Sequence, residues 1–172
     1  MKANRTVYPW SEGWDIISNS SQASLSYTMQ GPAVNVDRND NNITNDGNAA
    51  LYHALLWFFT GYSQYAENAI DILEAWATTH QTWSGNSVHL HAAWRGGTMV
   101  KAAEILRHTY PGWTSTNTAH CEDYFKNVYW PQFRLPNPLR AANQGANNLW
   151  GAIQVAIFCN DQTMFEQCID AF

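Results

Sequence analysis

The sequence predicts an all-α fold built from helix hairpins. Apolar side chains recur with helical spacing in successive segments, no convincing stretch alternates apolar and polar residues, and Gly or Pro separates the segments. In chain order, helices are predicted over 9–19, 49–60, 63–79, 88–108, 117–129, 143–158 and 161–172. Few β-strands are therefore expected.

Local signals justify the boundaries of these elements in turn. The segment 20–48 is polar and rich in Asn, Asp, Gly and Pro, which predicts a long loop, and loops of this length are often functional. Gly61 can end the second helix by adopting a left-handed conformation, and Ser63 can cap the third. The adjacent Gly96 and Gly97 predict a weak point or kink in the fourth helix.

An internal repeat indicates how the helices are arranged. Residues 48–72 align without a gap with residues 147–171, and in each copy an almost wholly apolar helix precedes an amphipathic one. A wholly apolar helix has to be covered on all sides, whereas an amphipathic helix faces solvent. The pattern predicts inner and outer helix layers, as in an (α/α)n toroid. Closing such a ring takes more hairpins than 172 residues supply, so 1–172 are expected to form a single, incomplete toroid domain, truncated at its C-terminal end.

Composition restricts the classes of partner. Charged residues make up 13% of the chain, about half the usual share, while aromatic residues reach 14% and the net charge is −5. This balance excludes intrinsic disorder and argues against nucleic acid or an anionic membrane surface as a partner. Few charges with many Trp, Tyr and Asn residues suit neutral or hydroxyl-rich ligands, although a Trp-rich core gives the same counts.

Targeting, modification and metal signals are sparse. No apolar run is long enough to span a membrane, and no signal peptide opens the chain. N-x-[ST] sequons at Asn4, Asn19 and Asn42 mark candidate glycosylation sites and favour an extracellular origin only mildly. Three cysteines are too few for a disulfide framework, and we expect reduced thiols or a pairing partner outside this chain. No metal-ligand spacing is present, so neither a metal nor another cofactor is expected.

Four segments carry a resemblance to a known family. They are residues 1–15 (MKANRTVYPWSEGWD), 49–77 (AALYHALLWFFTGYSQYAENAIDILEAWA), 91–106 (HAAWRGGTMVKAAEIL) and 143–172 (NQGANNLWGAIQVAIFCNDQTMFEQCIDAF). In order and spacing they resemble secreted alginate-lyase-type polysaccharide lyases over nearly the whole chain. The resemblance implies an α/α-toroid fold, secretion, and β-elimination on an acidic polysaccharide such as alginate or glucuronan. It also implies that the catalytic Tyr and a further His lie in a C-terminal half beyond residue 172.

β-Elimination on a uronic acid requires particular side-chain chemistry. The proton on C5 leaves only when the neighbouring carboxylate is neutralised or hydrogen-bonded, because the developing enolate has to be stabilised. A base at C5 and an acid at the leaving O4 complete the reaction, and one Tyr or a Tyr/His pair often serves. Tyr52, Tyr124 and Tyr129 are candidates, and the sequence singles out none of them.

An Asn cluster near the start of the last apolar helix is the first candidate site. The N-terminus of a helix favours an anion, so Asn143 or Asn148 is expected to contact the substrate carboxylate, with His91 as a further catalytic candidate. The alternative is that Asn147 or Asn148 simply caps the helix. The family often has a His beside such an Asn, whereas Leu149 follows Asn148 here.

The substrate-binding candidates are Trp94, Arg95, Asn147 and Trp150. His91 and Arg95 are spaced i, i+4, so both can lie on one helix face, where Trp94 can stack on a sugar ring and Arg95 can meet a uronate. The alternative places Trp94 in the core and Arg95 in a surface salt bridge, and His53 is expected to be a core histidine. In a lyase, the Asn cluster and the residues around Trp94 should converge on one concave surface, with the loop 20–48 on the same side.

Two other functions remain open. A glycoside hydrolase on an α/α barrel needs two carboxylates facing the cleft, but the acidic residues here lie mostly in polar loops or on amphipathic faces. A non-catalytic carbohydrate-binding or helical interaction module is the second alternative. The products of digestion distinguish the lyase from these two alternatives. A lyase releases unsaturated uronides, a hydrolase releases only new reducing ends, and a binding module releases neither.

Overall fold

Helices dominate the structure, a computed structural model that describes residues 6–133 and 143–172. The elements are α1 (Trp10–Ser18), β1 (Asn35–Asp37), α2 (Asn42–Thr60), α3 (Ser63–Thr79), β2 (Thr82–Ser84), α4 (Val88–His91), a first π turn (Ala92–Gly96), α5 (Gly97–Thr109), α6 (Ser115–Tyr124), a second π turn (Phe125–Tyr129), α7 (Trp130–Phe133), α8 (Asn143–Phe158) and α9 (Gln162–Asp170). A 3-10 turn, Ser21–Ala23, precedes β1. The prediction of a nearly all-helical fold is confirmed.

The helices pack in pairs, as the hairpin pattern predicts. The apolar helix α2 packs against α5, which in turn packs against α8, while α3 and α9 each pack on the preceding helix of their own hairpin. Between them lie buried aromatic and aliphatic side chains, of which Trp76, Phe125 and Phe158 are among the largest. The burial of such side chains is the main stabilising contribution to this arrangement.

A groove interrupts the burial of the apolar helices. It has a volume of about 420 Å³, and residues of α2, α5 and α8 line it, including Leu51, Val100 and Ile157. The sequence predicts that the wholly apolar helices are covered on all sides. Within the part of the chain that the structure describes, this prediction is wrong along the groove, since Ile157 remains half exposed.

The two repeated hairpins share their turn geometry. Gly61 ends α2 at φ 76°, and Asn160, which the repeat aligns with it, follows α8 at φ 47°. Both are left-handed, which Gly and Asn adopt most readily. The next residue is extended in each copy, with φ −85° at Tyr62 and φ −106° at Asp161. This agreement supports the internal repeat.

Replacing Gly61 with alanine is expected to lower the free energy of unfolding by about 1 to 2 kcal/mol, because a Cβ is strained in the left-handed region. Urea unfolding followed by circular dichroism measures the change. Gly13→Ala in α1 is the matched control, since nothing lies within 4 Å of the added Cβ and the residue is helical. Equal losses in the two variants would contradict the explanation.

The long loop is shorter than predicted. The segment 20–48 is expected to be a loop, but α2 already begins at Asn42. The composition of its first turns is polar, yet Ile43 and Asp46 are fully buried, so contacts with other segments stabilise helix where local propensity favours a loop. The predicted boundary at residue 48 is therefore wrong by about two turns.

Asp46 is a buried acceptor for four donors. Its Oδ1 accepts from the Tyr27 hydroxyl at 2.7 Å and the Gln30 amide at 2.9 Å, and its Oδ2 accepts from the Gly31 amide at 2.9 Å and Trp76 Nε1 at 2.8 Å. Three of these donors lie in the loop before β1 and one lies in α3. This carboxylate therefore fastens the loop to both helices of the first hairpin.

Two further local predictions have different outcomes. The predicted cap at Ser63 is wrong, because Tyr62 occupies the cap position and Ser63 is the first helical residue. The kink at the Gly pair is confirmed as a π turn that ends at Gly96, immediately before α5. The small parallel sheet pairs β1 with β2, with Val36 opposite Trp83.

Membrane and disulfide features can be checked within the described residues. None of their helices is long and apolar enough to cross a membrane. The three cysteines, Cys121, Cys159 and Cys168, are all buried free thiols. The expectation of reduced thiols agrees with this arrangement.

Candidate functional site

The structure brings together the candidate residues of two distant segments. Helix α8 packs against the first π turn, and Trp94 Nε1 donates a hydrogen bond to Asn147 Oδ1. Asn147 Nδ2 in turn donates to the backbone oxygen of Asn143 at 2.8 Å. One turn away, His89 Nε2 lies 3.4 Å from Gln144 Oε1. The predicted meeting of the Asn cluster with the segment around Trp94 is thus present.

Trp94 and Arg95 are both available at this junction. Trp94 is 49% exposed, so the alternative that places it in the core is wrong. Arg95 Nη1 donates to the backbone oxygen of Asp40, and the guanidinium forms no ion pair with a carboxylate among the described residues. The surface salt bridge considered for Arg95 is therefore absent from this part of the chain.

Asn148 is buried with an unused acceptor. It is 3% exposed, and its Oδ1 has no hydrogen-bond partner among the described residues. As described, α8 begins at Asn143, so Asn147 and Asn148 lie in its second turn and cannot serve as its cap. Rotation of the amide by a half turn presents its NH₂ group in the same place, so the side chain can either accept from or donate to a ligand.

His91 lies on α4 with a buried, unpartnered Nδ1 atom within the described part of the chain. Burial lowers the pKa of its imidazole, and the charges of Arg95 and Arg38 lower it further, while Asp37 opposes them. The ring is therefore neutral at neutral pH and can accept a proton. This placement is compatible with the catalytic role expected for His91.

Arg38 is a residue of the site that sequence reasoning missed. It is exposed in the segment that follows β1, and its charge is felt at His91. The loop preceding α2 therefore has two parts with different neighbours. Residues 35–41 lie beside the candidate site through Asp40 and Arg38, whereas Gly31 packs against Trp76 of α3. Only residues 35–41 lie where the loop was expected, beside the candidate site.

Comparison with known proteins assigns the family. The family model for alginate lyase matches residues 2–172, which is nearly the whole chain. The chain belongs to the alginate lyase family. Comparison with curated proteins and with solved structures gives no match. Membership confirms the resemblance seen in the sequence and implies a polysaccharide substrate.

Trp150 gives this alginate lyase family member a second exposed indole. It lies three residues after Asn147 on α8, hence on the same face, and is 42% exposed. Lys101 Nζ lies 4.3 Å from the centre of its ring, and Gln154 Nε2 donates to its backbone oxygen at 2.9 Å. Trp150 is thus partly covered by its neighbours, and its exposed part is a second candidate surface for a sugar ring.

The tyrosine candidates of the family member differ in access. Tyr124 and Tyr129 are buried, and burial raises the pKa of both hydroxyls far above neutrality. Neither can reach a polysaccharide, so both are excluded as base or acid. Tyr52 is half-buried on α2. His53 is buried, with Nε2 3.2 Å from the oxygen of Ser24, as expected for a core histidine.

The glycosylation candidates have different surroundings. Asn19 is exposed just after α1, whereas Asn42 is the first residue of α2 and the hydroxyl of Thr44 in its sequon is buried. Asn4 lies outside the described residues. Among those residues, no group of three or more His, Cys, Asp or Glu side chains is arranged to hold a metal ion.

A buried histidine of the family member predicts a pH-dependent stability. Burial lowers the pKa of His80 from 6.5 to about 4, so the unfolded chain binds a proton more readily than the folded chain between these values. His80 therefore stabilises fully above pH 6.5, and stability falls as the pH is lowered toward 4. At pH 4.5 the loss should be about 2 to 3 kcal/mol relative to pH 7.

Urea unfolding at pH 7 and pH 4.5 measures this loss in the wild type and in His80→Asn. The variant has no titrating ring at position 80, so its stability should depend on pH less steeply by about the same 2 to 3 kcal/mol. An identical slope in both proteins would show that His80 does not cause the dependence.

Proposed function

We propose that the chain acts in cleaving a uronic-acid polysaccharide, of the alginate or glucuronan type, by β-elimination. The observation that supports this most directly is the contact between Trp94 and Asn147, beside the buried amide of Asn148 and the imidazole of His91. Indole rings, amides and arginines are the groups that a uronate chain requires, because its units present both apolar ring faces and a carboxylate.

In this proposal the exposed indoles of Trp94 and Trp150 contact sugar faces. Asn148, Asn143 and Arg95 bind the uronate carboxylate. Amides and a guanidinium suit this task because they donate to oxygen without adding a competing negative charge. Because the enolate charge develops on that same carboxylate, these donors stabilise the transition state more than the ground state.

His91 is the proposed proton acceptor. Its neutral imidazole takes the proton from C5, the electron pair of that bond forms the C4–C5 double bond, and the C4–O4 bond breaks with its pair on the leaving oxygen. The protonated His91 then gives this proton to the leaving O4, so that its imidazole is neutral again. The positive charges of Arg38 and Arg95 favour the substrate carboxylate and keep His91 unprotonated before the reaction.

The products of digestion test this function. The protein is incubated with alginate, glucuronan and, as a neutral control, a polymer of glucose, while ultraviolet absorbance and reducing ends are both followed. We expect equal increases in absorbance and reducing ends with a uronate polymer only, since elimination creates a double bond conjugated to the carboxylate. Reducing ends without absorbance would indicate hydrolysis and contradict the proposal.

The non-catalytic binding module is the second candidate, because the exposed indoles and Arg95, which forms no ion pair among the described residues, suit binding by themselves. Isothermal titration with a saturated uronate oligosaccharide distinguishes it. Binding without any product from polymer would favour the module, whereas binding together with unsaturated product favours the lyase.

A further inference from the structure

The two π turns of the structure are in direct contact. A Cβ placed on Gly96 would lie 1.6 Å from Tyr129 Cε1, so the ring of Tyr129 lies against bare backbone at the end of the first π turn. Tyr129 is itself the last residue of the second π turn and is fully buried. Any side chain at position 96 would have to displace this ring.

The hydroxyl of Tyr129 continues into a buried polar chain. It lies 3.3 Å from the hydroxyl of Tyr124, which lies 2.7 Å from His80 Nδ1. His80 Nε2 is 3.0 Å from the backbone oxygen of Thr82, which can only accept. Nε2 therefore carries the proton, and Nδ1 accepts from the Tyr124 hydroxyl.

This series of hydrogen-bonded side chains connects two segments of the candidate site. At one end, Tyr129 holds the π turn that carries Trp94 and Arg95. At the other end, Thr82 belongs to β2, whose partner β1 leads directly to Arg38. A network that is buried from Tyr129 to His80 thus joins the two segments that supply the cations of the site.

A π turn depends on such support. It contains one residue more than an α-helical turn, its backbone geometry is less favourable, and it is frequently found at functional sites. Trp94 and Arg95 lie in the middle of this turn, so their side chains follow any change in its backbone. A packed aromatic ring is rigid and transmits strain, because protein interiors are close-packed.

We propose that Tyr129 is a positioning residue whose ring fixes the first π turn and so aims Trp94 and Arg95 at the substrate. The inference rests on the proposed function for the identity of the ligand, but the positioning itself can be tested without it. Tyr129 does not touch the substrate and acts only through the contact with Gly96.

A set of four variants tests the contact. Tyr129→Leu removes the ring, Tyr129→Phe keeps the ring and removes only the hydroxyl, Gly96→Ala forces the ring away, and the double variant Gly96→Ala/Tyr129→Leu relieves that clash. We expect at least about tenfold weaker binding of a uronate oligosaccharide for Tyr129→Leu and Gly96→Ala, because small displacements of positioned groups have large effects. Tyr129→Phe should stay within about threefold of the wild type, and the double variant should recover at least about threefold over Gly96→Ala.

Leu106→Ala is the matched control for a loss of core packing. Leu106 is fully buried on α5, three turns beyond Gly96. It should lower the melting temperature as much as Tyr129→Leu does, yet leave the affinity within about twofold. Equal losses of affinity in Leu106→Ala and Tyr129→Leu would overturn the proposal, because the effect would then follow stability alone.

A second measurement needs no ligand. The indole N–H resonance of Trp94, assigned with Trp94→Phe in protein labelled with ¹⁵N-tryptophan, reports its hydrogen bond to Asn147. It should shift in Gly96→Ala, return toward the wild type in the double variant, and stay unchanged in Leu106→Ala. A wild type that binds no uronate would contradict the proposed function only, whereas a Trp94 resonance unaffected by Gly96→Ala and Tyr129→Leu would overturn the positioning role.

Discussion

Replacing Asp46 with alanine is expected to lower the free energy of unfolding by about 4 to 5 kcal/mol, the largest stability effect of any single change considered. The carboxylate is fully buried and accepts four hydrogen bonds, from Tyr27, Gln30, Gly31 and Trp76. Its removal leaves buried donors unpaired, and each donor that water cannot reach lowers the free energy of unfolding by about 1 to 3 kcal/mol. Asp46→Asn should lower the free energy of unfolding nearly as much, because an NH₂ group replaces one of the two carboxylate oxygens and then faces hydrogen-bond donors.

Urea unfolding of graded variants measures this effect. Tyr27→Phe removes one of the four donors and should cost only about 1 kcal/mol. Asp71→Asn replaces an exposed carboxylate on α3 and should change stability by less than about 0.5 kcal/mol. A loss below about 2 kcal/mol for Asp46→Ala would mean that water or another donor replaces the network, and that Asp46 does not fasten the loop.

The second large effect concerns turnover. Asn148→Ala should lower the rate of uronate cleavage by about 10²- to 10³-fold, because a preorganised donor to the developing enolate is lost. Stability should change by less than about 1 kcal/mol, since the alanine removes a buried acceptor that has no partner among the described residues. The initial rate of ultraviolet absorbance and the urea midpoint give the two quantities.

Asn127→Ala is the control for this substitution. Asn127 is exposed in the second π turn and bonds only the carboxylate of Asp123 among the described residues, so neither rate nor stability should change appreciably. If Asn148→Ala loses rate and stability in equal measure, the residue is structural and the proposed carboxylate contact is wrong.

Local pattern predicts most of the fold. Apolar spacing and the left-handed turn at Gly61 predict the end of α2 within a residue. The start of α2 could not be predicted, because its polar first turns are stabilised by the burial of Ile43 and by Asp46, whose partners lie 15 to 30 residues away in sequence. Ser63 shows the converse, since a good capping residue is not used when the preceding residue already has the required extended backbone.

The site was predictable only in part. The expected convergence of the Asn cluster with the segment around Trp94 follows from helix order and the family resemblance, and in the structure Trp94 contacts Asn147. Arg38 could not be predicted, because it reaches the site through a three-residue strand too short to give a periodic signal. The burial of Tyr129 could not be predicted either, because its ring packs against Gly96, a contact between distant segments.

The shared turn of the two hairpins has a consequence for how such a protein can evolve. In each hairpin the bend is formed by two adjacent residues, a left-handed one followed by an extended one. A gene segment that encodes one hairpin therefore also encodes the residues of its turn, and a duplicated copy can form the same bend. Gly61 and Asn160 show how far the copies can then diverge, because the backbone shape is retained while the residue that adopts it changes.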